Sequence, residues 1–227
     1  MSSMAAATPK GMARRQLLAE AAGALLMQHG QDAVRHRAVA ERAGLPLAST
    51  TYYFNSLDDL LAAAVEYTCE VDAREMTDRC AALPERSRGA RDTAAALAQV
   101  FVGDGSSERL AARYELFVLA ARHPELASMI NQRQHQVEKI AAEVLAKSAR
   151  HSAPGGVHKL IAFENGALLE SISVDAERRA DPVGAITDAI VDVVDMFAPA
   201  LADGGFASAL GDDGLAGPPP LGRDSGH

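Results

Sequence analysis

The sequence predicts an all-α protein of about nine helices, with a small three-helix head at the N-terminus of a larger helical body. Two observations carry this prediction. Alanine and leucine are abundant, whereas the chain has no tryptophan, four tyrosines and six phenylalanines, a composition that favours helices over sheets. Apolar residues also recur every three or four positions, between breaks rich in Gly, Pro and small polar residues.

The first three helices form the head, which we place at residues 10–56 after a flexible leader, residues 1–9. A stripe of apolar residues from Leu17 to Leu26 predicts the first helix, and Gly30 ends it. Two short helices follow, separated by Gly44, which suits a tight turn. The predicted bounds of these three helices are 12–29, 37–43 and 47–54.

The body, residues 57–202, is predicted to contain the other six helices. Ser56 and Asp59 have the spacing of a capping box, which starts a long helix that links the head to the body. Residues 203–227 are rich in Gly, Pro and Asp and are predicted to form a disordered tail. The predicted bounds of the body helices are 57–82, 90–102, 107–122, 124–150, 156–176 and 182–201.

The charge of the chain is unevenly distributed. Residues 1–56 contain six Lys and Arg against three Asp and Glu, a net charge of +3. Because the whole chain has a net charge of −8, the remainder carries −11. A basic head on an acidic body favours binding of phosphate groups at the head and discourages it elsewhere.

Several other classes of function are disfavoured by the sequence. Cys69 and Cys80 lie in one predicted helix, roughly 16 Å apart along its axis, which is too far for a disulfide. No apolar run is long enough for a membrane span, and residues 1–9 lack the features of a signal peptide. The seven His residues form no catalytic or metal-binding motif. We therefore expect a cytoplasmic protein with no membrane association, catalytic site, metal or cofactor.

Two short helices joined by a glycine-containing turn predict a helix-turn-helix. Ala40 and Ala43 allow these helices to cross closely, and small residues at the start of the second helix let it enter a DNA major groove. Hydroxyl groups later in that helix can reach phosphates or base edges. The predicted DNA contacts are Arg35, Arg37, Leu47, Ala48, Ser49, Thr51, Tyr52 and Tyr53. The alternatives are a structural hairpin without a DNA role and, for the two arginines, ordinary surface charges.

Residues 14–61 resemble the DNA-binding domain of the TetR family of bacterial repressors. The resemblance rests on Arg14, Leu17-Leu18, Ala21-Ala22, Gly30, Val39-Ala40, Ala43-Gly44-Leu45, Thr50-Thr51-Tyr52-Tyr53-Phe54 and Leu60. The sequence departs from the family pattern at two positions, with Thr51 in place of the usual Tyr and Leu57 in place of the usual Lys. The N-terminus of the linking helix still offers N–H groups to a phosphate.

The resemblance implies a homodimer that binds a palindromic operator in double-stranded DNA and releases it when a small-molecule effector enters the body. The final helix carries an apolar stripe that needs a partner surface, and the resemblance assigns it to the dimer interface, with Ile186, Ile190 and Val194 as contacts. A candidate effector pocket combines aromatic and polar residues, with ordinary core packing as the alternative for each of them. Its residues are Tyr67, Phe101, Tyr114, Phe117, Phe163 and Asn165. Glu164 is expected to face the same cavity. A DNA-binding regulator without an inducer and a helical enzyme are the competing functions.

Overall fold

A computed structural model describes residues 8–103, 107–173 and 180–201. Within these ranges the chain forms nine α-helices and no strand, apart from a single antiparallel bridge between Arg150 and Ala200. The predicted all-α fold is therefore confirmed. The helices are α1 Pro9–His29, α2 His36–Arg42, α3 Leu47–Tyr53, α4 Leu57–Ala82, α5 Ala90–Val102, α6 Ser107–Arg122, α7 Ala127–Lys147, α8 Gly156–Ser173 and α9 Pro182–Phe197.

The helix ends differ from the predicted ones where local capping decides them. The first helix begins at Pro9 because the Thr8 hydroxyl accepts a hydrogen bond from the Gly11 amide at 3.1 Å. The predicted helix at 124–150 is instead a 3-10 turn, Pro124–Leu126, followed by α7. The predicted helix at 182–201 ends at Phe197. The end of the helix predicted at 156–176 and the tail at 203–227 lie outside the described residues.

The predicted N-cap of α4 at Ser56 is confirmed, whereas the side chain of Asp59 bonds the amide of Asn55 rather than that of Ser56 as in a standard capping box. The Ser56 hydroxyl accepts a hydrogen bond from the Asp59 amide at 3.0 Å, and the Asp59 carboxylate accepts one from the Asn55 amide at 3.1 Å. The first bond satisfies one of the N–H groups that the helix leaves unpaired, and the second holds the residue that precedes the cap. This cap fixes where the head ends and the long linking helix begins.

The head lies against the linking helix at a position where the chain has no side chain. A Cβ atom on Gly23 of α1 would lie 2.6 Å from Cδ1 of Tyr67 and 3.3 Å from the Ala64 carbonyl oxygen of α4. Any larger residue would push these helices apart. Gly44, with a φ of 64°, forms the turn between α2 and α3 as predicted.

Two hydrophobic clusters form the core, and both draw on α4. The head cluster includes Leu60 and Leu61 from the start of α4, and it also takes Leu116 and Leu119 from α6. The body cluster includes Met76 near the end of α4. The hydrophobic core of the head is therefore completed by residues of the body, from α4 and α6.

The apolar stripe of α9 has its partner within the same subunit. Ile186, Ile190 and Val194 are at most 1 % exposed and belong to the body cluster. The residue-level prediction that they form the dimer interface is therefore wrong. The physical reason is that α5 is rich in alanine, with Ala94 and Ala98 fully buried, so α9 packs closely against it and covers its own stripe.

Cys69 and Cys80 are both buried, free thiols, and burial raises the pKa of each to about 11. At neutral pH both are protonated and unreactive. Among the described helices, none combines the length and the apolar character needed to cross a membrane.

Candidate functional site

Helix α3 has one buried and one exposed face. Thr50, fully buried, donates its hydroxyl to the Leu47 carbonyl at 2.8 Å, and Phe54 closes the same face. The exposed face presents Leu47 and Tyr52, at 51 % and 41 % exposure. This is the division expected of a helix that is anchored in the head and offers its other side to DNA.

A groove of about 560 Å³ runs between the start of α1 and α3. Lys10 and Arg14, one helical turn apart on α1, give it a positive wall beside the exposed small residues of α3. Neither was among the predicted contacts, although their spacing of four residues signals a shared face. The groove is lined by Thr8, Lys10, Gly11, Arg14, Pro46, Ala48, Ser49, Tyr52 and Tyr53.

The predicted DNA contacts Arg35, Arg37 and Thr51 do not line this groove, and their side chains differ in their availability. The Thr51 hydroxyl donates to the Ala48 carbonyl at 3.3 Å, within its own helix. Arg35 forms an exposed ion pair with Asp32 at 3.3 Å, whereas Arg37 is exposed on α2 without an ion pair among the described residues. Tyr52 stands edge-on to Tyr53, with ring centroids 4.9 Å apart.

A small inner cavity of about 20 Å³ lies in the body between α4, α5, α6, α7 and α8. It brings together four of the six residues predicted for the effector pocket. Tyr67 lies instead against Gly23 of α1, and Phe163 is 49 % exposed on α8, with its ring 5.9 Å from that of Phe197. The inner cavity is lined by Met76, Phe101, Arg113, Tyr114, Phe117, Arg133, Gln134, Val137, Glu164, Asn165 and Leu168.

A buried ion cluster adjoins the inner cavity. Asp72 of α4 accepts hydrogen bonds from Arg113 of α6, with Nε at 2.9 Å, and from Arg133 of α7, with Nη2 at 2.6 Å. Burial alone raises the pKa of the Asp72 carboxyl, but the two guanidinium groups outweigh it and hold that pKa below its usual value. The partners are 41 and 61 residues away in sequence, so no local pattern pointed to the cluster.

Glu164 of α8 faces the inner cavity, as expected from the sequence. It is 5 % exposed, so its carboxyl is buried in the wall of this cavity. Burial raises the pKa of Glu164 to about 7, against the lowering effect of Arg113 and Arg133. The signal in the sequence was its position between Phe163 and Asn165 on an apolar helix.

An outer cleft of about 370 Å³ lies between α4 and α7. Arg133 lines both this cleft and the inner cavity. The cleft is lined by Glu66, Cys69, Glu70, Ala73, Arg74, Met129, Gln132, Arg133 and Gln136.

The head and body also meet through a hydrogen bond outside α4. The Glu115 carboxylate of α6 accepts a hydrogen bond from the Gln31 amide at 3.0 Å. Gln31 begins the 3-10 turn that joins α1 to α2. Glu115 directly follows Tyr114, whose hydroxyl donates to the Asn165 carbonyl beside the inner cavity.

An outer face of small and apolar residues is exposed on α8 and α9. Phe163, Leu169 and Met196 are its large members, and Met196 is 70 % exposed. Between them lies a shallow groove of about 450 Å³ lined by Ala162, Phe163, Gly166, Ala167, Glu170 and Ala189. Exposed apolar area of this kind marks an interaction surface.

These features define a helix-turn-helix DNA-binding regulator whose helical body contains an internal cavity. Residues 88–196 match the family model of the tetracyclin repressor-like, C-terminal domain. The chain is similar to transcriptional regulators of the TetR family in its C-terminal part as well as in its N-terminal part, as its N-terminal resemblance predicted. Members of this family are DNA-binding regulators rather than enzymes.

Three comparisons illustrate the relationship. The HTH-type transcriptional regulator PksA of Bacillus subtilis (strain 168) is 35 % identical over 66 residues, which are 29 % of this chain and 30 % of PksA. The multidrug binding protein EbrR, in complex with proflavin, is 29 % identical, with a TM-score of 0.59 over 79 % of this chain and 99 % of EbrR. A TetR-family protein from Mesorhizobium loti MAFF303099 shares the fold, with a TM-score of 0.68, 13 % identity and coverage of 84 % and 99 %.

Proposed function

We propose that this protein is a homodimeric repressor that binds a palindromic operator through α3 and leaves it when a small molecule enters the body. The observation that carries the proposal is the groove between α1 and α3. Its positive wall, Lys10 and Arg14, lies beside an exposed helix face of small residues. Phosphates would be held by the wall while α3 reads base edges. That EbrR is a multidrug binding protein seen with proflavin supports an effector site in a body of this fold.

The DNA-binding role is tested by placing a negative charge on α3. Ala48→Glu should lower operator affinity by about a hundredfold, because it adds bulk and repels phosphates where the helix must enter the groove. Operator duplexes are first selected from a random pool with the wild-type protein, and affinities are then measured by fluorescence anisotropy at fixed salt.

The control is Gln28→Glu, which makes the same change in charge. Gln28 is exposed near the other end of α1, about 21 Å along the helix from Arg14. The operator affinity of the Gln28→Glu variant should therefore differ from that of the wild type by less than about threefold. Recovery of no preferred duplex, or equal losses in both variants, would refute the assignment of α3 as the recognition helix.

The dimer is proposed to form through the outer face of α8 and α9. The apolar stripe of α9 is buried inside the subunit. A second copy would therefore contact the face of α8 and α9 that remains exposed. On α8 the residues of this face recur at intervals of three and four, from Ala162 through Gly166 to Glu170, which places them along one helical stripe. Small residues there let a partner helix approach closely. The occupant we propose is therefore the same face of a second copy.

Release of DNA is proposed to run through α6 as well as α4. A drug-sized ligand needs several hundred Å³, so it must move α6 away from α8 to enter a cavity of about 20 Å³. That motion separates Tyr114 from Asn165 and carries Glu115 with it. Because Glu115 holds the first residue of the turn between α1 and α2, the head follows. Helix α4, with 26 residues and about 39 Å of length, provides the second path.

Removing the Glu115 contact should uncouple the two sites. A ligand that releases the operator is first selected from a small-molecule library. The coupling is then measured as the ratio of the operator affinity without ligand to the operator affinity with ligand. We expect Glu115→Ala to lower this ratio by about fivefold. Operator affinity without ligand should change less than about twofold. The ligand's affinity, measured by calorimetry with and without operator, must show the same ratio.

The matched control is Glu138→Ala, which removes an acidic residue that pairs with His158 at 3.0 Å on the body. In the Glu138→Ala variant, the ratio of operator affinities without and with ligand should equal that of the wild type. If Glu115→Ala leaves the ratio unchanged, the signal travels through α4 alone.

A further inference from the structure

The exposed face of α3 is apolar at the end of the helix that would meet the bases. No Asp, Glu, Lys, Arg, Asn, Gln or His occurs between Gly44 and Asn55, a stretch that contains all of α3. Leu47 and Ala48, the first two residues of the helix, are exposed, and so is Tyr52 one turn after Ala48. Because a recognition helix contacts base edges with its N-terminal residues, the contacting side chains here are those of leucine and alanine.

The base edges that such a face can recognise follow from the chemistry of the major groove. Bidentate recognition of guanine uses Arg or Lys, that of adenine uses Asn or Gln, and the cytosine amino group is bound by Asp or Glu. Helix α3 offers none of these groups. The C5-methyl group of thymine is the major-groove feature that an apolar side chain contacts favourably. Resting on the proposed DNA-binding function, we infer that α3 selects its operator through the C5-methyl groups of pyrimidines, with Leu47 as the principal contact.

The hydroxyl groups of α3 do not replace the missing polar groups. Thr50 is buried and donates its hydroxyl to the Leu47 carbonyl at 2.8 Å. The Thr51 hydroxyl also donates within the helix, to the Ala48 carbonyl at 3.3 Å. Ser49 lines the groove between α1 and α3, but a hydroxyl both donates and accepts hydrogen bonds, so it discriminates little between base edges. The choice of base is therefore left to the apolar contacts.

The positive charges of the head lie outside α3, which separates affinity from specificity. Lys10 and Arg14 belong to α1, and Arg37 belongs to α2. In the arrangement that we infer, these side chains hold phosphates, and phosphate contacts carry no sequence information. The alternative is that one of the arginines reads a guanine through its N7 and O6 atoms. The two readouts use different groups of the bases, so base analogues that lack a single group distinguish them.

The test removes single methyl groups from the DNA and leaves base pairing unchanged. A consensus duplex is selected from a random pool with the full chain, and each of its thymines is replaced in turn, in both half-sites, by deoxyuridine. Contact with one buried methyl group is worth about fourfold in affinity, so replacement in two half-sites should weaken binding about fifteenfold at one or more thymine positions. Affinities are measured by fluorescence anisotropy at fixed salt.

A cytosine comparison tests the same methyl group in another base pair. At a position where uracil weakens binding, the T·A pair is replaced in both half-sites either by C·G or by 5-methylcytosine·G. The two duplexes differ only in the C5-methyl group, so the methylated duplex should bind about fifteenfold more tightly than the unmethylated one. Binding at this position would then respond to cytosine methylation.

The variant Leu47→Ala assigns the methyl contact to a side chain. At one symmetric position, the ratio of the affinity for the thymine duplex to that for the uracil duplex should fall at least about threefold. A loss of stability alone would lower both affinities and leave this ratio unchanged. Leu17→Ala is the matched control, because Leu17 is 48 % exposed against 51 % for Leu47 but lies outside α3 and the groove. Its ratios should equal those of the wild type.

Three results would overturn the inference: affinities within about twofold for every uracil duplex, equal ratios in Leu47→Ala and the wild type, or losses confined to duplexes with 7-deazaguanine. This last analogue lacks the N7 acceptor, so such losses would assign the readout to the arginines. Each of these results leaves the DNA-binding function standing, since a consensus duplex has by then been selected. If no duplex is enriched from the pool, the proposed function itself fails, and the inference falls with it.

Discussion

Replacing Asp72 by alanine is expected to lower the free energy of unfolding by about 3–5 kcal/mol, because it leaves two buried guanidinium groups without their counter-ion. Arg113 and Arg133 are 11 % and 9 % exposed and both depend on this carboxylate. Urea denaturation at pH 7, followed by circular dichroism, measures the loss.

The effect should depend on pH with a definite sign. The folded-state pKa of Asp72 lies below its unfolded value, so its stabilisation is present above the unfolded pKa and is lost as the pH falls through the folded pKa. The wild-type and Asp72→Ala proteins should therefore converge in stability under acidic conditions.

Asp188→Ala provides the matched control. Asp188 pairs with Arg91 at 2.5 Å, but both side chains are about two-thirds exposed. Exposed pairs contribute at most about 1 kcal/mol. Similar losses for the two variants would mean that Arg113 and Arg133 find other partners, and the cluster would then have no special role in holding α4, α6 and α7 together.

Gly166→Glu is expected to raise the dissociation constant of the dimer by at least about a thousandfold. A Cβ atom at Gly166 meets nothing within 4 Å in the subunit, so the variant should fold normally. In the dimer that we propose, the added carboxylate would be buried against the apolar outer face of the partner, which is strongly unfavourable. Analytical ultracentrifugation over a range of concentrations measures the change.

Two comparisons sharpen this test. Gly89→Glu also places a Cβ in open space, lies at the start of α5, and should remain dimeric. Ile190→Asp, which buries a charge inside the subunit, should unfold the protein rather than yield a folded monomer. A fully dimeric Gly166→Glu protein would show that the outer face of α8 and α9 is not the interface.

Features encoded over a few residues were predictable from the sequence. The N-cap of α4 at Ser56, the turn at Gly44 and the burial of Thr50 each follow from residues within one or two helical turns. The same holds for the order of the nine helices, since each has its own apolar period and its own break.

Features that depend on which helices meet were not predictable. The stripe of α9 identified a face that must be covered, but the periodicity is the same whether α5 or a second copy covers it. Only the alanines of α5, read together with the fold, show that Ile190 is an internal residue. The cluster around Asp72 was missed for the same reason: its partners lie on helices far apart in sequence.

The shared core of the head limits how this protein can be recombined. Transplanting residues 8–56 onto another regulator, to redirect it to a new operator, would strand the apolar surface that Leu60, Leu116, Leu119 and Ile130 now cover. Gly23 would also lose the helix against which it is fitted. A chimera that keeps its recognition properties must therefore carry the first half of α4 and a compatible α6, or graft only the exposed positions of α3. For this chain, operator specificity is therefore easier to transfer to another regulator by substituting the exposed residues of α3 than by moving the whole head.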